Sequence, residues 1–488
     1  MIDVSRTFQA NEILITGANG FVGKVALAML LARYPAAARV HVLVRSRRGV
    51  AAQKRFEDEV LASPVFQAFD REAFVKRIVV HEGDAAELGE AAAEAMAGVR
   101  LIIHCAGLVE FFAPVDESLR ANVDALEKVA DLAARIGAKL LHVSTCYVAG
   151  RGNGLVEESE PIAGFYPLRR DRDDTAFDAQ TEIAKLRQRI GELTASGRDR
   201  AAQQALTELG RSRAERWGWV NTYTYTKSLG EQTLAARSDI EWAIVRPAIV
   251  ESALEFPFPG WVEGGRTAAP LVLMALGGMS EWPARADLSL EVVPVDQIAA
   301  AMLAVGALLA EGRADRVYQL AGSDCNPFPM RSLIALLAAE AKRRGAKVNG
   351  EPKLFDGQVY LERNRRQKVR AENLERRFQA LGKWLKSKGL PGAAAAARKS
   401  AQLRQAALQL RFREQTVEQY LPFTEQNRYL FEAHHIRTAM AELSNEDRKR
   451  LPWTPELINW PSYWRDNEIE GVLKWVQPDA VRDWSFQL

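Results

Sequence analysis

The stretch ILITGANGFVGK, Ile13 to Lys24, constrains the fold of this chain more than any other. An apolar run ends in Gly17, Gly20 and Gly23, spaced G-x-x-G-x-x-G, and continues directly into the helical pattern GKVALAMLLARY. Glycine carries no Cβ, so backbone can approach a ligand closely, and the amides and dipole at a helix N-terminus favour anions. A strand, this turn and a helix in succession form the context in which a glycine triad holds the pyrophosphate of a dinucleotide. The candidate contacts are Thr16, Gly17, Asn19 and Gly20, followed by Phe21, Val22 and Gly23.

The rest of the first half repeats the same alternation. EILIT, VHVLVR, RIVVHEGD, VRLIIHCAG and KLLHVST are near-continuous Val, Ile and Leu, separated by helical patterns such as LRANVDALEKVADLAARIG. Strands of this kind are buried on both faces, and strand–helix alternation at this spacing predicts an α/β fold with a doubly wound parallel sheet of the Rossmann kind. Residues 151–220 break the rhythm and are expected to form a helical insertion over the carboxyl edge of the sheet, near the substrate. The strand pattern resumes at EWAIVRPAIV, LEVVPVD and RVYQLAG. From 349 the chain turns rich in Arg, Lys, Gln and Ala with no clear strands. The expected division is therefore a Rossmann-type dinucleotide-binding domain over 8–348 and a mostly helical C-terminal domain over 349–488.

Bulk properties exclude several classes. The net charge of +3 is too mild to suggest nucleic acid. Three scattered cysteines argue against a disulfide framework or a zinc site and fit a reducing compartment. The N-terminus lacks signal-peptide features, and no apolar run approaches the ~20 residues that span a bilayer. The expectation is a cytoplasmic, metal-free protein whose contact with membranes, if any, is peripheral.

The second strand decides which dinucleotide suits the turn. A carboxylate at its end would take the 2′-hydroxyl of NAD. Here the position holds Arg45, with Ser46, Arg47 and Arg48 behind it. Guanidinium suits a 2′-phosphate, so NADPH is expected. Asp84, after the third strand, is placed to contact the adenine, and Ala106 and Gly107, after the fourth, to pass beside the middle of the cofactor. His104 reads as a packed strand residue and Cys105 as a small filler.

The stretch NTYTYTKSLGE sets Tyr223 and Lys227 four apart, on one helical face, with Tyr225 pointing elsewhere. By itself such a pair is a surface contact or a proton donor with its tuner. LLHVSTCYVAG adds a strand ending in Ser144 and Thr145, at the edge where doubly wound folds bind ligands. Glycine loop, strand-end hydroxyl and Tyr-x-x-x-Lys together resemble the extended short-chain dehydrogenase/reductase superfamily over the first two thirds of the chain. The resemblance implies that the hydroxyl holds the substrate oxygen, that the tyrosine gives or takes the proton, and that the lysine binds the nicotinamide ribose and lowers the tyrosine pKa. Thr145 is preferred to Ser144 because it lies five residues before Gly150, where related epimerases and dehydratases place their hydroxyl. Ser144 and Pro247 then fall to the cofactor, together with Tyr223 and Lys227. The chemistry requires these types: a hydride arriving at a carbonyl creates an alkoxide, and a donor within reach must neutralise it.

TGANGFVGK, VSTCYVAG, TYTYTKSLGEQ and VRPAIVESALEFPFPGWVEG resemble the fatty acyl-CoA reductases, most closely the bacterial alcohol-forming ones. That resemblance implies NADPH-dependent reduction of a long-chain acyl-CoA to aldehyde and on to primary alcohol, with release of CoA, the reductase site lying in 8–348 and the C-terminal domain, 349–488, binding the acyl substrate. Alternatives are a reductase that stops at the aldehyde or uses an acyl-carrier-protein thioester, a sugar-nucleotide epimerase or dehydratase, and a non-catalytic cofactor-binding regulator. The basic run LERNRRQKVR can meet CoA phosphates, form a solvated helix face or contact anionic lipid. Trp453, Trp460, Trp464 and Trp475 read as core.

Overall fold

The computed structural model describes residues 1–265, 267–346, 348 and 350–476. Seven strands form the central sheet: β1 (Glu12–Thr16), β2 (Val40–Val44), β3 (Ile78–Glu82), β4 (Val99–His104), β5 (Lys139–Val143), β6 (Trp242–Pro247) and β7 (Val317–Leu320). Their order is β7-β6-β5-β4-β1-β2-β3, and every neighbouring pair is parallel. This is the expected doubly wound α/β architecture. Strand order reverses between β1 and β4, which makes the carboxyl ends of these two strands the switch point where such sheets bind ligands.

The helices used below are α1 (Phe21–Arg33), α2 (Ala125–Ile136), α3 (Ala179–Thr194), α4 (Arg200–Trp217), α5 (Thr222–Ala235), α6 (Val295–Ala310), α7 (Gly357–Ser387) and α8 (Ala393–Leu421). α6 is almost wholly buried and α1 largely so, as helices covering a sheet made of apolar strands must be. α2 buries Leu126, Val129 and Leu132 against Leu14, Ile102 and Leu140 of the sheet. Gly137, in left-handed conformation at φ 67°, ends α2 and turns the chain into β5.

The single expected cut between 348 and 349 is not where the chain divides; residue 349 itself lies outside the described residues. One compact unit comprises 1–263, 291–327 and 429–468, and the other 264–290, 328–428 and 469–488. The reason is that the chain returns to the first unit after its long helices. The buried Glu158 carboxylate accepts the Gln319 N–H of β7 at 2.8 Å and the His435 N–H at 2.7 Å, and Glu432 donates its N–H to the Val156 carbonyl at 3.0 Å. Trp453, Trp460 and Trp464 are buried, as the sequence suggests, and Trp475 is half-buried. Residues 477–488 of the expected C-terminal domain lie outside the described residues.

The insertion is helical from Ala179 on; before that it holds a short strand, Asn153–Val156, and irregular chain. α3 and α4 bury Ile183, Leu186 and Leu206 together with Val115, Trp219, Tyr225 and Leu229. The second unit is dominated by α7 and α8, an antiparallel hairpin rooted on Tyr360, Leu361, Val417 and Leu421, with Met279 and Phe355 packed against them. Four of the five cations in the run LERNRRQKVR are ion-paired: Arg365 and Lys368 with Glu414, Arg363 with Glu281, and Arg366 with Glu362. Among the described residues no helix is long and apolar enough to cross a membrane.

Candidate active site

β1 ends at Thr16 and the chain turns at Gly17, whose φ is +73°. A Cβ there would stand 2.6 Å from the Ala106 amide nitrogen, and one at Gly23 would stand 2.4 Å from the Gly17 carbonyl oxygen. The turn is therefore built from glycine for close approach, and it packs on Ala106 across the switch point. Gly20 is exposed and caps α1 without a side-chain bond, leaving the first amides of the helix to solvent or a ligand. Asn19, Phe21 and Val22 are half-buried around it; Asn19 donates to Glu59 at 3.2 Å, and the Phe21 ring lies 5.2 Å from Trp261.

Arg45 follows β2 with its side chain 68 % exposed, 3.6 Å from Asp84. Arg120 reaches the same carboxylate at 2.9 Å. Asp84 also caps the turn after β3 through the Ala86 N–H at 3.0 Å. Burial raises its pKa, but the Ala86 amide, Arg120 and Arg45 outweigh that and hold the carboxyl below its ordinary range. Two guanidinium groups thus converge beside the end of β2 around one carboxylate. Arg120 is a cation that sequence reasoning missed, since it lies on a different helix 75 residues away in number.

α5 carries the Tyr/Lys pair. Asn221 caps it by accepting the Thr224 N–H at 2.8 Å. Its threonine-rich sequence is a weak helix former, so tertiary burial holds it. The buried Arg246–Glu231 pair, at 2.5 Å, ties it to β6, and Asn122 donates to Thr226 at 3.0 Å. Asn122 also accepts the Leu108 N–H and donates to the Leu108 carbonyl, fixing the loop after β4. No short pattern in the sequence marks that role.

Lys227 is buried, and its Nζ donates to the Val143 carbonyl at 2.7 Å, with His142 Nε2 at 3.2 Å. Thr145, two residues past β5, is buried, accepts the Tyr147 N–H at 3.3 Å and lies beside Tyr223. The Tyr223 ring is half-buried and stacks 6.2 Å from Phe111. Thr145, Tyr223 and Lys227 therefore converge at the carboxyl end of β5. A Cβ on Gly107 would lie 3.9 Å from Lys227 Nζ, so the β4 loop closes the other side. Ser144 Oγ is buried with no hydrogen-bond partner among the described residues, and Pro247 is buried at the end of β6. An unsatisfied buried hydroxyl at the carboxyl end of the sheet fits a polar ligand not present in the chain itself.

Tyr225 does point elsewhere. It is buried in the insertion core and donates to Glu182, which Arg213 also holds. His104 is a packed strand residue, with Nδ1 2.8 Å from Thr16 Oγ1 and its ring stacked on His142. Cys105 is half-buried.

Burial pushes the Tyr223 phenol up to about 12, and the bond to Thr145 offsets part of that. Without ligand the phenol is therefore raised rather than lowered, and it carries its proton at neutral pH, as a donor must. Burial pushes Lys227 down to about 8 against the pull of Glu231. Burial likewise pushes His104 down to about 3 and His142 well below its ordinary range, so neither adds positive charge beside the lysine at neutral pH.

A family profile described as Male sterility protein, an NAD-binding domain, matches residues 15–302. The probable fatty acyl-CoA reductase 4 of Arabidopsis thaliana is 30% identical over 67% of this chain and 70% of its own length. The chain belongs to the fatty acyl-CoA reductase family. It is an oxidoreductase of the extended short-chain dehydrogenase/reductase superfamily that uses a nicotinamide dinucleotide. The alcohol-forming fatty acyl-CoA reductase of Simmondsia chinensis is 28% identical over 66% of this reductase and 68% of its own length. Among solved structures, the terminal reductase domain of the myxalamid biosynthetic pathway superposes with a TM-score of 0.56 at 17% identity, over 92% of this reductase and 91% of that domain. At that identity the likeness concerns the fold.

Proposed function

We propose that this reductase converts a long-chain fatty acyl-CoA to the aldehyde and then to the primary alcohol, using NADPH and releasing CoA. The convergence of Thr145, Tyr223 and Lys227 at the end of β5 carries the proposal. The glycine turn at Gly17–Gly23 would hold the pyrophosphate, Arg45 the 2′-phosphate and Lys227 the nicotinamide ribose, with Ser144 and Pro247 beside the ring. Bound NADPH supplies hydride. Thr145 and Tyr223 hydrogen-bond the acyl oxygen, where negative charge develops. Tyr223 protonates it, and takes the proton back as the C–S bond of the hemithioacetal breaks to give aldehyde and the CoA thiolate, which takes a proton from water. In the second round Tyr223 protonates the alkoxide to give alcohol. The exposed Val109 and Phe112 flank Phe111, the ring stacked near Tyr223, and suit an alkyl chain. With palmitoyl-CoA, about two NADPH should be oxidised per CoA thiol released, because each carries one two-electron step. A ratio near one with accumulating aldehyde makes the enzyme aldehyde-forming instead. No NADPH oxidation, with bound NAD retained, favours the epimerase-like alternative.

NADPH should support turnover far better than NADH. Arg45→Asp removes a phosphate partner and adds a repulsion, and should lower kcat/KM for NADPH by about tenfold or more. Arg120 remains, so some preference for NADPH should survive. Equal wild-type rates with both cofactors contradict the assignment of Arg45.

The Lys227 ammonium sets a pH dependence. It holds its proton below about 8 and loses it above. kcat/KM for reduction, which reports the free enzyme, should be level below that value and fall about tenfold per pH unit above it. A profile that stays level to pH ~10 contradicts a role for the charged lysine.

A further inference from the structure

The hairpin of α7 and α8 carries more charge than its surroundings explain. Residues 357–421 hold 15 Lys and Arg against 5 Glu, a net charge of +10 in a chain whose total is +3. The carboxylates sit toward the root. From Arg376 to Arg413 there are ten cations and no Asp or Glu. Among the described residues, none of Lys383, Lys386, Lys388, Arg398 and Lys399 has an ion-pair partner.

The distal part of the hairpin buries only small side chains, Ala396 and Ser400. α7 has no buried residue beyond Ala371, although it runs to Ser387. That leaves 16 residues, roughly 24 Å of helix at 1.5 Å per residue. At the tip, Leu381, Trp384 and Leu390 are 43%, 52% and 44% exposed. Gly382 packs closely on Ala396, 3.5 Å from where its Cβ would stand, so the two helices meet there and the larger apolar side chains are turned out. A tryptophan and two leucines set among lysines, at the end of a long helical pair, match an interface between hydrocarbon and anionic phosphate.

We propose that the tip of the α7–α8 hairpin docks on a lipid bilayer containing anionic phospholipid. Trp384, Leu381 and Leu390 enter the headgroup boundary, and Lys383, Lys386 and Lys388 meet lipid phosphates. A second copy of the chain is the wrong occupant, because two such tips would bring like charge together. Nucleic acid would use the cations but not the paired leucines. The proposal is independent of the reaction assigned to the active site.

The test is sedimentation of the full chain with vesicles of phosphatidylcholine, with and without about 30% phosphatidylglycerol. The anionic vesicles should bind it at least tenfold more tightly, and raising salt from about 0.1 to 0.5 M should release it. The triple variant Lys383→Glu, Lys386→Glu, Lys388→Glu should bind them about 100-fold more weakly, near fivefold or more per lysine. Trp384→Ala with Leu390→Ala should weaken binding about tenfold or more and leave less bound at high salt. Both variants should keep the wild-type circular dichroism and Tm, since the changed side chains are exposed. Equal partition onto both vesicle types, or unchanged binding by both variants, overturns the proposal. So does RNA binding without vesicle binding, or a lipid-free dimer that the triple variant abolishes.

Discussion

Tyr223→Phe should lower the rate of acyl reduction by roughly 10²–10⁴-fold or more, the contribution of a positioned general acid. The substitution keeps the ring, its stacking near Phe111 and the burial of the helix face, and removes only the hydroxyl beside Thr145. Thermal unfolding should therefore change little while kcat falls. Tyr225→Phe should behave in the opposite way. Its hydroxyl donates to Glu182 inside the insertion core, and the buried carboxylate would keep only Arg213. That loss should cost about 1–3 kcal/mol of stability, with a much smaller effect on kcat. Steady-state kinetics and melting curves on the two variants separate the roles, and a Tyr225→Phe enzyme that folds normally but loses the larger share of activity would contradict them.

Lys227→Met should lower activity by about 100-fold or more and abolish the alkaline fall in the pH profile. The lysine is the only one of the three catalytic candidates with a charge to contribute, and it is held by a backbone carbonyl and a neutral imidazole rather than by a carboxylate in contact. Keeping a cation there opposes burial, which pushes its pKa down to about 8. Methionine matches the length of the chain and removes that cost, so the variant should be no less stable than wild type. A variant that loses activity only in proportion to lost folded protein would make the lysine structural. Retention of the fall above pH ~8 would assign it to another group.

The sheet was legible because each strand states its burial in its own sequence. EILIT, VHVLV and VRLIIH are dominated by Ile, Leu and Val without a polar–apolar alternation, as strands of a sheet covered on both faces are. The glycine turn was legible for a related reason: Gly17 and Gly23 meet backbone atoms, a local constraint that shows as residue type. Contacts between distant segments left no such mark. Arg120 joins Arg45 on Asp84, Asn122 fixes the β4 loop, and His142 sits beside Lys227, each through a partner far away in sequence. The division of the chain was misjudged because composition changes near 349, whereas packing follows where the chain returns. Glu158 gathers the amides of Gln319 and His435 into the first unit, and no shift in composition announces that. The direction of the Tyr223 pKa was also hidden, since the sequence shows the neighbouring lysine but not the burial, which is a property of the folded site.

The most direct measurement follows the hydrogen itself. The reductase is supplied with a long-chain acyl-CoA and NADPH carrying two deuterium atoms at the nicotinamide C4, and the lipid product is analysed by mass spectrometry. Two successive hydride transfers to one carbon should yield a fatty alcohol with two deuterium atoms at C1, and Tyr223→Phe should suppress it. Lipid product without deuterium at C1, or NADPH oxidation with the thioester left intact, would contradict the account.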